Sequence, residues 1–162
     1  MQALYACSLE RAFKTPMLCD ITQVHTGFLG IMPKVTHSTN DEHWGKIGQS
    51  KQVHFAKSII QPDGWISTDK VLERQENKYW KIEVSDFTSW TLGFTKFVGE
   101  WKTTELAPNN ILIDYKYTLH SNKIILYPLN WLFTKTLWRI YMKRVLKNIK
   151  KLAYAEAPYL YD

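Results

Sequence analysis

Hydrophobic and polar residues alternate most clearly in the second half of the chain. In residues 78–87, Trp80, Ile82 and Val84 alternate with Lys81, Glu83 and Ser85. A period of two means a strand with one apolar face. Residues 111–120 repeat the pattern. Ile111, Ile113, Tyr115, Tyr117 and Leu119 share one side, and Leu112, Asp114, Lys116 and Thr118 the other. The runs 51–59 and 64–75 are strand-like as well. Residues 91–106 are long for one strand, and Gly93 and Gly99 within them predict bulges or strong curvature. The turns between these runs are short, "EN" at 76–77 and "APNN" at 107–110. Short turns between successive strands predict an antiparallel meander and exclude a parallel doubly wound sheet.

Upstream, residues 2–13 read as a strand. Thr15 before Pro16 reads as an N-cap followed by a first-turn proline. One or two short helices are expected from there to Met32, broken near Gly27 and Gly30, with an extended piece from Pro33 and a polar loop over 40–50.

The C-terminal pattern changes period. After Pro128 there is no Gly or Pro until Pro158. A helix of about 27 residues, ~40 Å long, follows from 1.5 Å per residue. At 100° per residue, Trp138, Tyr141, Met142, Val145, Ile149, Leu152 and Ala153 form one apolar face, with Arg139, Lys143, Arg144, Lys147, Lys150 and Lys151 opposite. Leu129, Leu132, Phe133, Leu137 and Ile140 fall on the other side. One straight helix cannot lay both faces on one sheet. Either it breaks near residues 134–136, or its first half is covered by the N-terminal helices, a second subunit or a membrane surface. Cover from within the chain is the expectation.

Strand, short helices, about six antiparallel strands and one long helix make an α+β chain. With 162 residues and 45% hydrophobic content, a single domain over residues 1–162 with its own core is expected. Aromatic residues are 14% of the chain, enough to fill a core or line a cavity. The net charge of +6 is unevenly placed: residues 1–126 carry +1 and residues 127–162 carry +5. A near-neutral body argues against a nucleic-acid partner, so the basic residues read as the solvated back of the helix. Lys135 and Arg139 argue against a membrane span, at ~2.5–3.5 kcal/mol each in mid-bilayer.

Candidate chemistry is sparse. Cys7 and Cys19 make no disulfide framework, which points to a reduced, cytoplasmic setting. "LYAC" at 4–7 lacks the basic and apolar stretches that precede a lipoprotein cleavage site. His37, Asp41, Glu42 and His43 have no strong metal-site spacing, and no cofactor motif is present, so no metal or cofactor is expected. His25, His54 and Tyr115 are the best acid–base candidates. No carboxylate is evident on a buried face, since Asp114 and Glu83 alternate outward, and a catalytic reading lacks its paired set.

The element order resembles the helix-grip fold of the START-related SRPBCC superfamily of lipid carriers and polyketide cyclases. The resemblance spans essentially the whole chain. "LERAFKTPMLCD" resembles the first strand running into a proline-started helix. "FLGIMPKV" resembles the aromatic-to-proline passage into the second strand, and "FVGEWKTTEL" the glycine-tryptophan strand. The segment between residues 15 and 33 is shorter than the pattern. The resemblance implies a curved sheet of about seven strands wrapped on the C-terminal helix, with a cavity between them for a hydrophobic or amphipathic small molecule or lipid. Its ligand-binding candidates are Trp80, Trp101, Thr103, Ile113, Tyr115, Tyr117, Trp138, Tyr141, Met142 and Val145. A non-enzymatic carrier or sensor is the expected role. The alternatives are a cyclase, aromatase or dehydrase in the same cavity, and a module that docks on a membrane, or pairs as a homodimer, through residues 129–140.

Overall fold

The computed structural model describes residues 1–39, 42–59, 61–88 and 92–161. Eight strands form one antiparallel sheet. They are β1 (Gln2–Tyr5), β2 (Thr26–Phe28), β3 (Met32–Ser38), β4 (Ser50–Phe55), β5 (Trp65–Gln75), β6 (Tyr79–Ser85), β7 (Phe94–Ala107) and β8 (Asn110–Ser121). The order across the sheet is β1-β8-β7-β6-β5-β4-β3-β2, so each strand after β2 pairs with its predecessor and β1 closes against β8. The predicted meander is present. The alternation in β6 and β8 places Trp80, Ile113 and Tyr115 on the buried face.

The N-terminal third departs from expectation. The first strand stops at Tyr5. Residues 9–13 belong instead to helix α1 (Leu9–Leu18), capped by Ser8, whose hydroxyl accepts from the Arg11 amide. Serine at the cap and Glu10 in the first turn outweigh the Thr15–Pro16 signal, and Pro16 lies within the last turn of α1. Helix α2 (Ile21–Val24) follows, capped by Asp20. Gly27 and Gly30 do not break a helix; they build the β2–β3 hairpin. Gly27 sits at φ +77°, where a Cβ would lie 3.1 Å from the Lys34 amide nitrogen and the Met32 carbonyl oxygen. Only glycine fits there, and that hairpin adds an eighth strand to the seven expected.

Gly99 makes no bulge either. It stays in register opposite Tyr117, and its missing side chain admits the tyrosine ring, which a Cβ would meet at 3.0 Å. The register shifts in β7 fall between Phe94 and Lys96 and between Glu105 and Ala107.

The C-terminal helix neither breaks nor runs straight. Helix α3 (Tyr127–Phe133) passes through a π-helical turn (Thr134–Trp138) into α4 (Arg139–Tyr154). The cause is local. The Thr134 hydroxyl donates to the Asn130 carbonyl at 2.7 Å, and the Thr136 hydroxyl to the Leu132 carbonyl at 2.6 Å. Threonines that bond the carbonyl four residues back compete with the helix's own amides and loosen its ladder. The wider turn lets Phe133 and Trp138, five residues apart, face the sheet together. Cover from within the chain, the expected fate of the first apolar half, is only partial. Phe133 and Leu137 are half-buried, whereas Leu129 and Leu132 stay exposed.

The densest core lies under α1 and α4. Trp101 packs edge-on against Tyr5 and stacks on Trp80 at 5.7 Å. The Tyr5 hydroxyl donates to the Leu146 carbonyl at 2.8 Å, tying the first strand to the last helix. Asn148 donates to the Val24 carbonyl at 3.0 Å and fixes α4 against α2. Among the described residues, no helix is long and apolar enough to cross a membrane.

Candidate functional site

Between the sheet and α4 the packing opens into a cavity of about 130 Å³. Its wall is built from inward positions of β4 to β8, from α2, and from the π turn with α4. Six of the candidates named from the sequence line it: Trp80, Tyr115, Tyr117, Trp138, Tyr141 and Val145. Trp101, Thr103, Ile113 and Met142 do not. They are buried elsewhere: Trp101, Ile113 and Met142 join the packed core, and Thr103 donates to the Asn77 carbonyl at 2.7 Å.

The aromatic walls interlock. Trp138 packs on Tyr117 at 5.3 Å, Tyr141 at 5.9 Å and Phe97 at 5.1 Å between ring centres. Trp65, Phe87 and Phe94 add to the apolar lining and were not singled out in the sequence; Phe133, placed there on the helix's other apolar face, lines it too. Among the described residues, the buried indole N–H groups of Trp65, Trp80 and Trp138 find no hydrogen-bond partner. Buried donors without acceptors cost about 1–3 kcal/mol each.

The cavity also holds charge, which the hydrophobic pattern concealed. Lys51 on β4 is 3% exposed and Asp69 on β5 is 6% exposed. They are direct partners in the β4–β5 register and both line the cavity. Among the described residues neither enters an ion pair. The Lys51 ammonium lies instead over the rings of Trp44, at 4.2 Å, and Tyr161, at 4.9 Å. Burial pushes the Lys51 amine down to about 8, against the attraction of Asp69 and Asp20. Burial likewise pushes the Asp69 carboxyl up to about 6, against the pull of Lys51 and the Ser67 hydroxyl. A carboxylate on the buried face is therefore present, contrary to the reading that none was evident. The parity of β5 carries the signal: Trp65, Ser67 and Val71 are inward, so Asp69 is too. Lys51 shares the parity of Val53 in the same way.

His25 follows α2 and reaches the cavity, where its Nδ1 and the Tyr141 hydroxyl are 2.7 Å apart. Burial, then the nearby Lys51 charge, pushes this histidine down to about 4, so it is neutral near pH 7. Burial also raises the Tyr115, Tyr117 and Tyr141 phenols above their usual range, which makes them hydrogen-bonding groups rather than bases. His54, the other histidine candidate, does not reach the cavity. It alternates with Val53 onto the outer face and stacks on His37 at 4.1 Å. His37 is thus held by a ring contact. Asp41, named with it as a loop ligand, lies outside the described residues, and no group of three metal-ligating side chains forms among those described.

No protein-family model matches this sequence, and no curated protein matches it. Solved structures do match over nearly the full chain. A START superfamily protein from Mycobacterium smegmatis aligns with a TM-score of 0.68 at 12% identity, covering 97% of each chain. A conserved protein from Geobacillus kaustophilus reaches 0.70 at 9% identity, covering 97% of this chain and 95% of its own. A point mutant of the norcoclaurine synthase from Thalictrum flavum, in complex with a transition-state analogue, reaches 0.66 at 14% identity, covering 96% and 92%. Identities this low speak to the fold.

Proposed function

We propose that this chain, whose fold is the helix grip of START-related proteins, carries or senses a hydrophobic or amphipathic small molecule held between its sheet and its C-terminal helix. The observation that supports this is the aromatic cavity with a few polar groups set into its wall. Native mass spectrometry of the purified protein, with thermal shift against lipids, quinones and oxygenated aromatics, tests it. A retained or stabilising small molecule is the expected result. No mass increment and no shift with any of these classes would sink the reading. Asp69 and His25 favour a second reading, a cyclase- or dehydrase-like reaction in the same cavity, since both are titratable groups inside it. Turnover of a candidate polyketide that survives substitution of both residues would end that reading.

The turn at Ile124–Leu126 and the outer face of α3 that follows it favour one docking partner, an anionic membrane surface. Ile124 is 91% exposed, Ile125 86% and Trp131 54%, with Tyr127, Leu129 and Leu132 beside them. Between Asp114 and Glu156 there are nine basic residues and no acidic one. Apolar side chains among lysines and arginines suit the interface of a negatively charged bilayer. Co-sedimentation with phosphatidylglycerol vesicles but not phosphatidylcholine vesicles is expected, weakening with salt. Equal binding to both, or a concentration-dependent dimer that hides the patch, would overturn it.

A further inference from the structure

We propose that Lys51 and Asp69 form a net-neutral polar anchor that holds the hydroxyl group of an uncharged amphiphile, an alcohol or a phenol, with its apolar body along the aromatic wall. The inference rests on the reading of the cavity as a small-molecule site.

The argument begins with register. Lys51 and Asp69 are opposite one another on neighbouring strands and both point into the cavity. Directly opposed side chains have Cβ atoms about 4.5–5.5 Å apart. Both chains are long enough to meet, yet no ion pair joins them within the described residues. The ammonium is turned onto the Trp44 and Tyr161 rings, which stabilise a cation without occupying its three hydrogens. Two opposite charges, each more than nine-tenths buried, thus border the same cavity without neutralising one another directly.

A group that bridges them must accept from an ammonium and donate to a carboxylate. One hydroxyl does both. The charge balance narrows the choice further. The pair sums to zero, so a carboxylate or an ammonium head would bring one uncompensated charge into a low-dielectric site. A head with no hydrogen-bonding group would leave both ions unserved. A neutral hydroxyl adds two charge-assisted hydrogen bonds and no net charge.

The test is a matrix of ligand heads against anchor variants. Four probes share a naphthalene body and carry methyl, hydroxyl, carboxylate or aminomethyl groups. Each is titrated calorimetrically into the wild type, Lys51→Met, Asp69→Asn and the double variant. In the wild type, naphthol is expected to bind roughly tenfold or more tighter than methylnaphthalene, the value of hydrogen bonds to charged groups. Asp69→Asn leaves the buried Lys51 amine without its anion and shifts preference toward naphthoate, which supplies one. Lys51→Met leaves the buried Asp69 carboxyl without its cation and shifts preference toward the aminomethyl probe, which supplies one. The double variant binds naphthol and methylnaphthalene alike. If a single variant fails to fold, by near-ultraviolet circular dichroism, the double variant against wild type decides. Probes that all bind, with the same ranking in wild type and double variant, would overturn the anchor and leave the cavity reading standing. If no probe binds the wild type, the anchor falls, and the native mass spectrometry and thermal-shift screen decides the cavity reading.

Discussion

Lys51 and Asp69 occupy opposite positions in the β4–β5 register, inside a mainly apolar cavity, and among the described residues neither forms an ion pair. Such a pair destabilises the unliganded fold, because burial opposes the charged form of each partner. Sites that bind guests tolerate such penalties, since the guest relieves them.

The pH dependence of stability follows. Asp69 is raised to about 6, so its contribution is full below its ordinary value of 3.8 and is lost as pH rises through about 6. Lys51 is lowered to about 8, so its contribution is full above its ordinary 10.5 and is lost as pH falls through about 8. Between these values both groups are charged and both penalties act. Urea unfolding at about pH 4, 7 and 10 should show the wild type at its weakest, relative to the double variant Lys51→Met with Asp69→Asn, near pH 7. The Asp69 part is on the order of 2–3 kcal/mol. A difference that does not change with pH would contradict the assignment.

His25 should stay neutral through mild acid. It is lowered to about 4, so its stabilising contribution is present above its ordinary 6.5 and lost as pH falls through about 4. Its ring protons, followed by nuclear magnetic resonance, should not titrate above about pH 5. Tyr141→Phe removes the hydroxyl partner and should destabilise by about 1–2 kcal/mol.

Two adjacent residues report on the helix phase. Phe133 packs against Phe94 at 5.9 Å and Trp138 at 6.3 Å, whereas Leu132 is exposed. Phe133→Ala should cost roughly 1–3 kcal/mol and weaken cavity binding. Leu132→Ala should stay within about 0.5 kcal/mol and instead weaken vesicle binding. Thermal melts and co-sedimentation on the same two proteins separate the effects.

Gly99→Ala brings a Cβ to 3.0 Å from the Tyr117 ring, which forms part of the cavity wall. The ring must move into the cavity or the strand must shift. A loss of about 1–3 kcal/mol is expected, with lower affinity for any guest. Retained stability together with retained affinity would show that Tyr117 has room the structure does not suggest.

Period-two alternation was the readable part of the sequence. It placed β6 and β8 and, through Trp80, Tyr115 and Tyr117, much of the cavity wall. It failed where it was applied to apolar residues alone. Asp69 and Lys51 share the parity of their inward neighbours, but a charged side chain at an inward position reads as an interruption of the pattern. The N-terminal segment was misread for a different reason. Two capping signals stood seven residues apart, Ser8 and Thr15, and the proline made the weaker one look decisive. The hairpin at Gly27 was hidden because a glycine required by close backbone approach looks, in sequence, like a glycine that ends a helix.

The π turn gives the C-terminal helix one residue of slack. In an unbroken α-helix counted back from Trp138, position 131 would come around to the sheet side, since seven residues make nearly two whole turns. Trp131 would then be inside and Phe133 out of line. Deleting one residue from the turn should therefore be the mild change, because it converts the segment to α-helix and keeps Phe133 facing inward. Replacing Thr134 and Thr136 by alanine at full length should be the severe one, because it favours the α-helix that swings Trp131 into the cavity.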